Sequence, residues 1–182
     1  TLTWEKGRQL KTFDNTLYKY NLDGIRIEKN VNGVKHIYTL DGIRITSEIW
    51  ETNTLVPFYD NEDSVCGIVY NNIPYYFQKD IYGNVIGIVD SNANVVVRYK
   101  YDAWGVCEIL SDNTGQDIAN INPFRYKSYY YDEETGLYYL QSRYYNPRVG
   151  RFISSDASEC LGTENRGLEC NLYVYCKNNC VN

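Results

Sequence analysis

Methionine is absent from the 182 residues, histidine occurs once, and alanine occurs only four times. Each scarcity excludes something. With His36 as the single imidazole, no multi-histidine metal centre can form, and a histidine-dependent triad would have to pass through that residue. His36 lies in VNGVKHIYTL, which reads as a turn followed by an alternating strand, so an ordinary strand residue is expected. Four alanines and twelve leucines leave too few strong helix formers for a bundle. Gly-rich phosphate loops of standard spacing are missing, and no cofactor signature takes their place. No apolar run approaches the roughly 18 residues that would span a bilayer; the best stretches are Val85–Val89 and Val95–Val97. The opening TLTWEKGRQLK is not a signal peptide and no initiating Met precedes it, so the chain reads as an internal piece of a longer protein. A net charge of −5 and a pI of 4.9 argue against nucleic-acid backbone binding.

What is abundant points one way. There are 20 Tyr, 20 Asn, 15 Ile and 14 Val. β-Branched and aromatic side chains suit a pleated surface, and Asn suits turns, so strands and hairpins are expected. A repeat supports this. Tyr20-Asn-Leu-Asp23-Gly24-Ile25-Arg26-Ile27 recurs eighteen positions later as Tyr38-Thr-Leu-Asp41-Gly42-Ile43-Arg44-Ile45. An Asp-Gly pair between alternating segments signals a tight hairpin turn with positive φ at its centre. Looser copies follow at Tyr59-Asp60, Tyr101-Asp102 with Gly105, and Tyr131-Asp132 with Gly136; YDEETGLY is echoed by YNPRVGRF.

Val95–Tyr101 alternates, with Arg98 and Lys100 on the wet face, and a turn at Asp90–Asn94 separates it from Ile86 and Ile88. Asp90-Ser-Asn92-Ala-Asn94 starts like a calcium loop but lacks the Gly and the closing acid, so a polar turn is expected and no metal. Leu137–Tyr145 carries tyrosine on both faces, which suits sheet packing or, alternatively, a carbohydrate-stacking surface. The segment Ser111–Asn122 reads as a longer polar loop. The four prolines (Pro57, Pro74, Pro123, Pro147) are scattered as at strand ends or edges. After Asp156 the alternation stops, and Cys160, Cys170, Cys176 and Cys180 gather in what should be an irregular, partly helical cap. With Cys66 and Cys107 they make six, without any C-x2-C pair; free thiols, disulfides and a metal site all stay open.

These residues carry a family resemblance. YDAWG at Tyr101–Gly105, NPFRYKSYYYDEETGLYYLQSRYYNPRVGRFISSD at Asn122–Asp156 and NLYVYCKNNCVN at Asn171–Asn182 resemble the Rhs repeat-associated core. That core belongs to the Tyr-Asp-repeat region of bacterial polymorphic toxins and wall-associated proteins; teneurins carry a related shell. The resemblance implies an all-β fold of antiparallel hairpin repeats wound into a curved strip or shell segment, one end closed by the core motif. It further implies that a toxic domain usually follows and is held inside, and that some members cut themselves as aspartyl autoproteases.

Along the chain this gives hairpin repeats over 1–121, the core motif over 122–156 and the Cys-containing cap over 157–182, as one continuous unit. By resemblance, Arg151 and Asp156 occupy part of the self-cleaving machinery. The chain departs from the family at Tyr145-Asn146-Pro147, at Asp156-Ala157-Ser158-Glu159 and at Asn178-Asn179-Cys180, and a partner Asp-Pro-x-Gly downstream is missing. No firm catalytic residue follows. The expectation is a structural shell-end module of a secreted or surface bacterial protein that encloses or presents a toxin. Its rivals are a self-cleaving aspartyl protease and a tyrosine-lined module adhering to glycan or protein. Its partners would be the upstream and downstream segments of its own polypeptide, and other copies through open sheet edges, with no nucleic acid and no transmembrane segment.

Overall fold

A computed structural model describes residues 2–6, 9–154, 173 and 175. The first twelve strands are β1 (Leu2–Glu5), β2 (Gln9–Phe13), β3 (Thr16–Tyr20), β4 (Arg26–Val31), β5 (Val34–Asp41), β6 (Arg44–Trp50), β7 (Asn53–Tyr59), β8 (Val65–Tyr70), β9 (Ile73–Lys79), β10 (Val85–Val89), β11 (Val95–Tyr101) and β12 (Cys107–Asp112). They form one antiparallel meander in sequence order. The core motif adds a four-stranded sheet of β13 (Tyr130–Asp132), β14 (Leu137–Leu140), β15 (Arg143–Asn146) and β16 (Arg151–Phe152). The all-β hairpin fold expected from composition and repeats is the fold found.

A meander places successive loops on alternate ends, so the strip has two rims. One rim carries mostly two-residue turns, at Asp14-Asn15, Asn32-Gly33, Glu51-Thr52 and Asn71-Asn72, between directly paired ends such as Val31 with Val34 and Tyr70 with Ile73. Asp14, Asn32, Glu51 and Asn71 have φ near +50°, the backbone that such turns require. The other rim carries longer loops after Tyr20, Tyr59, Lys79 and Tyr101. There an Asp directly after the strand folds three of the four loops: Oδ1 of Asp60, Asp80 and Asp102 accepts the N–H groups two and four residues on, at 2.8–2.9 Å. Asp90 caps the expected polar turn at Ser91–Asn94 in the same way.

The tyrosine of the motif has a separate task. Beside the turns of this rim, short or long, the register slips by one residue, leaving Lys11, Ile27, Thr46, Cys66, Ile86 and Leu110 as bulges, with Val96 bulged beside the Asp90–Asn94 loop of the opposite rim. Repeated bulges on one side bend and twist a sheet. Tyr20, Tyr59 and Tyr101 donate their hydroxyls to the carbonyls of Leu10, Ile45 and Val85, at 2.7–2.8 Å. Each acceptor is the residue just before a bulge on the preceding strand, where the ladder is interrupted. Tyr-Asp therefore couples neighbouring hairpins through Tyr and closes its own loop through Asp.

The two matching octapeptides fold differently. In the first, Asn21 Oδ1 accepts from Ile25 N at 2.8 Å and a five-residue loop opens between β3 and β4. In the second, Thr39 stays inside β5, and Gly42-Ile43 make a two-residue turn between Asp41 and Arg44. The tight turn expected at Asp23-Gly24 is thus a wider one. Leu137–Tyr145 is a hairpin rather than one strand, because Gln141 adopts φ +59° and reverses the chain. The polar segment Ser111–Asn122 holds one helical turn, α1 (Ile118–Ile121), whose Ala119 N–H is accepted by Asp112 Oδ2 at 2.7 Å.

One face of the strip and the core motif form a common core: Tyr18, Tyr38, Leu55, Ile68, Tyr75, Ile88 and Tyr99 cluster with Phe124, Tyr130, Leu137, Tyr139 and Tyr144. The rings on both faces of the β14–β15 hairpin are buried, as the packing reading of that segment has it. Cys66 and Cys107 are half-buried free thiols. The cap over 157–182, with the other four cysteines, lies outside the described residues except for Tyr173 and Tyr175.

Candidate functional site

The place where the core motif sits in the strip is built from charge. The bulge at Ile27 lets Arg26 and Lys29, three positions apart, both turn to the inner face. Arg26 is 1 % exposed and Asp132, at the end of β13, is fully buried. Arg26 Nη1 donates to Asp132 Oδ2 at 2.6 Å. Lys29 Nζ donates to Asp132 Oδ1 at 3.2 Å and to Glu134 Oε2 at 3.1 Å. The rings of Tyr139, Tyr130, Tyr38 and Tyr18 surround the Arg26 guanidinium at 4.3–5.5 Å, a cation–π cage around groups that lack an oxygen partner. A second link runs through Glu48 on β6, which accepts from Tyr130 Oη at 2.6 Å and contacts His36 Nδ1 at 2.7 Å. His36 is a strand residue, as expected, stacked on Trp50 at 5.1 Å.

Burial works against every charge here, and the partners decide the outcome. For Asp132, burial raises the carboxyl but Arg26 and Lys29 overcome it and hold it below its usual range. Glu48 is likewise held low, against burial, by His36, Lys29 and Tyr130. Glu134 goes the other way, raised by burial and by the Asp132 charge beside it. Burial would lower Lys29, yet Tyr38 and the carboxylates of Asp132, Glu134 and Glu48 raise it. Stability contributed by Asp132 and Glu48 is complete above the ordinary carboxylate range and lost as pH falls through their depressed values. Glu134 contributes with opposite sign, most at low pH and less as pH rises through its raised value. Urea midpoints measured between about pH 3 and 8 should therefore fall steeply below about pH 4. Glu134→Gln should flatten the smaller decline on the alkaline side; an acid limb unchanged by Asp132→Asn would contradict the assignment.

A latch of backbone carbonyls complements this lock. In the YDAWG loop, Ala103, Trp104 and Gly105 offer three consecutive carbonyls to the hydroxyls of Tyr126, Tyr145 and Tyr138, at 2.7–2.9 Å. Gly105 has φ +92°, and a Cβ there would stand 2.6 Å from the Tyr126 ring. A Cβ on Gly150 would meet the Trp104 ring at 2.8 Å. The NPFRY segment closes on itself: Asn122 Nδ2 donates to the Phe124 carbonyl at 2.8 Å, and Arg125 Nη2 to the Ala119 carbonyl and to Glu133.

Arg151, one of the two candidate residues, is exposed on β16 opposite Asn146, while Asp156 lies outside the described residues. Among the described residues, no group of three or more His, Cys, Asp or Glu could hold a metal ion. The charged cluster was not read from the sequence, because its members are 103–106 residues apart and the bulge that turns Arg26 inward leaves no periodic trace. Its chemistry is fixation. Carboxylates on one element meet cations on the other, with tyrosines filling the remaining space.

A bulged hairpin strip latched onto an inserted tyrosine-rich sheet defines a shell-type Tyr-Asp-repeat domain. The teneurin YD-shell model matches residues 45–181, and the chain belongs to that family. It is 38% identical over 168 residues to the tRNA3(Ser)-specific nuclease WapA of Bacillus spizizenii, a match covering 90% of this chain and 7% of that protein. It is 36% identical over 83 residues to the double-stranded DNA deaminase toxin A of Burkholderia cenocepacia, covering 45% of this chain and 6% of the relative. A crystal structure of TcdB2-TccC3-Cdc42 superposes with a TM-score of 0.77 at 20% identity, over 98% of this chain and 10% of that one. This chain thus spans under a tenth of the length of these two curated relatives. No helix among the described residues is long and apolar enough to cross a membrane.

Proposed function

We propose that the chain is the end-closing module of a YD shell in a secreted or surface-displayed bacterial protein, and that it encloses or presents a toxic domain of the same polypeptide. The observation that carries this reading is the double attachment of the core motif, by the Arg26–Asp132–Lys29 lock and the Ala103–Gly105 latch. Such a fastening makes a wall rather than a moving active site. The likeness to WapA and to a deaminase toxin, each far longer than this chain, supports a role shared by proteins with different effectors. The test is protease protection of the effector in the complete polypeptide. Protection should be lost on Asp132→Ala and kept on a surface change such as Arg44→Ala; equal protection in both would overturn the reading.

The module acts without chemistry of its own. Purified chain should keep a single mass over days, and Asp156→Asn should leave mass and fold unchanged. A specific internal cut that Asp156→Asn abolishes would replace this reading with the autoproteolytic one.

A further inference from the structure

Lys79, at the end of β9, is half-buried, and its amine meets a hydroxyl instead of a carboxylate. Its Nζ donates to Ser64 Oγ at 2.7 Å, and among the described residues no carboxylate forms an ion pair with it. Ser64 is fixed by its own loop. Asp60 Oδ1 accepts the Ser64 N–H at 2.9 Å, the Asp60 N–H donates to the Ser64 carbonyl at 3.0 Å, and the Cys66 thiol reaches that carbonyl at 3.4 Å. Burial lowers the Lys79 amine from its ordinary value, and Cys66 and Asp60 offset only part of that. A hydroxyl held against a desolvated amine is how a serine is activated where no histidine serves as its base. The chain's single imidazole, His36, is engaged with Glu48. Ser64 also lines a cleft of about 780 Å³ whose walls include Ile43, Ile45, Tyr59, Val65 and Leu140. The hydroxyl-bearing residue therefore stands beside space in which an apolar chain can lie.

We propose that Ser64 and Lys79 form an acyl-acceptor site, which takes a medium-length fatty acyl group from a thioester and keeps it as an amide on Lys79. In the first step the neutral Lys79 amine takes the Ser64 hydroxyl proton while Oγ attacks the thioester carbonyl. The C–O bond forms, the C–S bond breaks, and the sulfur leaves as a thiol with the proton that Lys79 held. In the second step the freed amine, a hydrogen bond away, attacks the new ester. The C–N bond forms, the C–O bond breaks, and Ser64 Oγ takes back a proton from the nitrogen. The amide is the end point, so the site turns over once. Enclosing an effector needs no such reaction: the acyl group is something the wall receives, and without a donor the mass of the chain stays constant.

The experiment incubates the purified chain with the octanoyl thioester of N-acetylcysteamine and follows each lysine by peptide mass spectrometry. Lys79 should be acylated at least tenfold faster than Lys35 and Lys100, which are exposed. Ser64→Ala should slow the modification of Lys79 to the rate of those two, while Ser64→Thr, which keeps a hydroxyl, should retain part of the advantage. Lys79→Arg should leave neither an amide at position 79 nor a hydroxylamine-sensitive ester on Ser64, because the base is lost with the acceptor. The acetyl thioester of the same carrier should react more slowly than the octanoyl one if the cleft holds the chain. Lys79 modified no faster than Lys35 and Lys100 in the wild type would overturn the proposal, and so would a Lys79 rate that Ser64→Ala leaves unchanged.

Discussion

Asp132→Ala should cost the protein about 3–5 kcal/mol of unfolding free energy, read from urea denaturation at neutral pH. The carboxylate is fully buried and is the anion that both Arg26 and Lys29 bind. Lys29 keeps Glu134, but Arg26 would be left charged among four tyrosine rings without an anionic partner. An uncompensated buried charge is among the most expensive single defects in a protein. Two companions show where the cost arises. Arg26→Met together with Asp132→Leu removes both charges of the pair and should recover much of the loss. Arg44→Ala breaks the exposed pairs with Asp41 and Asp63 and should not shift the midpoint measurably. A loss below about 1 kcal/mol for Asp132→Ala would mean that the ion cluster is not what fastens the core motif.

The second large effect concerns the latch. Gly105→Ala should destabilise by about 2–5 kcal/mol, from strain at positive φ plus overlap with the Tyr126 ring. Gly33→Ala is its control, since Gly33 has φ +95° but nothing within 4 Å of the added Cβ. It should show only the backbone part, about 1–2 kcal/mol. The difference between the two midpoints isolates the cost of moving Tyr126 away from the loop. Near-ultraviolet circular dichroism should change for Gly105→Ala and not for Gly33→Ala, because only the first disturbs a cluster of buried tyrosines. Equal losses would remove the latch from the account.

The hairpins were legible because a period of two and an Asp-Gly or Tyr-Asp boundary are local signals, each with a backbone reason. The loop types were not. Asn21 against Thr39 decides between a five-residue loop and a two-residue turn within otherwise near-identical octapeptides, and a single side-chain acceptor makes that choice. The bulges were equally hidden, since each extra residue shifts the inward face by one and erases the alternation that would have revealed it. Arg26 is the consequence: its twin Arg44 pairs with Asp41 and Asp63 at the surface, while Arg26 turns inward to Asp132. Of the core motif, the sequence announced the family and the tyrosine content. It could not announce that three of those tyrosines end on the carbonyls of one loop, because hydroxyl-to-backbone contacts across 23 to 41 residues have no residue-type signature.

Native-state hydrogen exchange followed by mass spectrometry tests the central claim most directly, that strip and core motif are fastened into one cooperative body. The amides of Tyr130–Asp132 and Leu137–Leu140 should exchange as slowly as those of Arg26–Val31, through the same opening reaction. Asp132→Ala should accelerate both sets together. A core sheet that exchanges much faster than the strip in the wild type, or one whose protection Asp132→Ala leaves untouched, would contradict it.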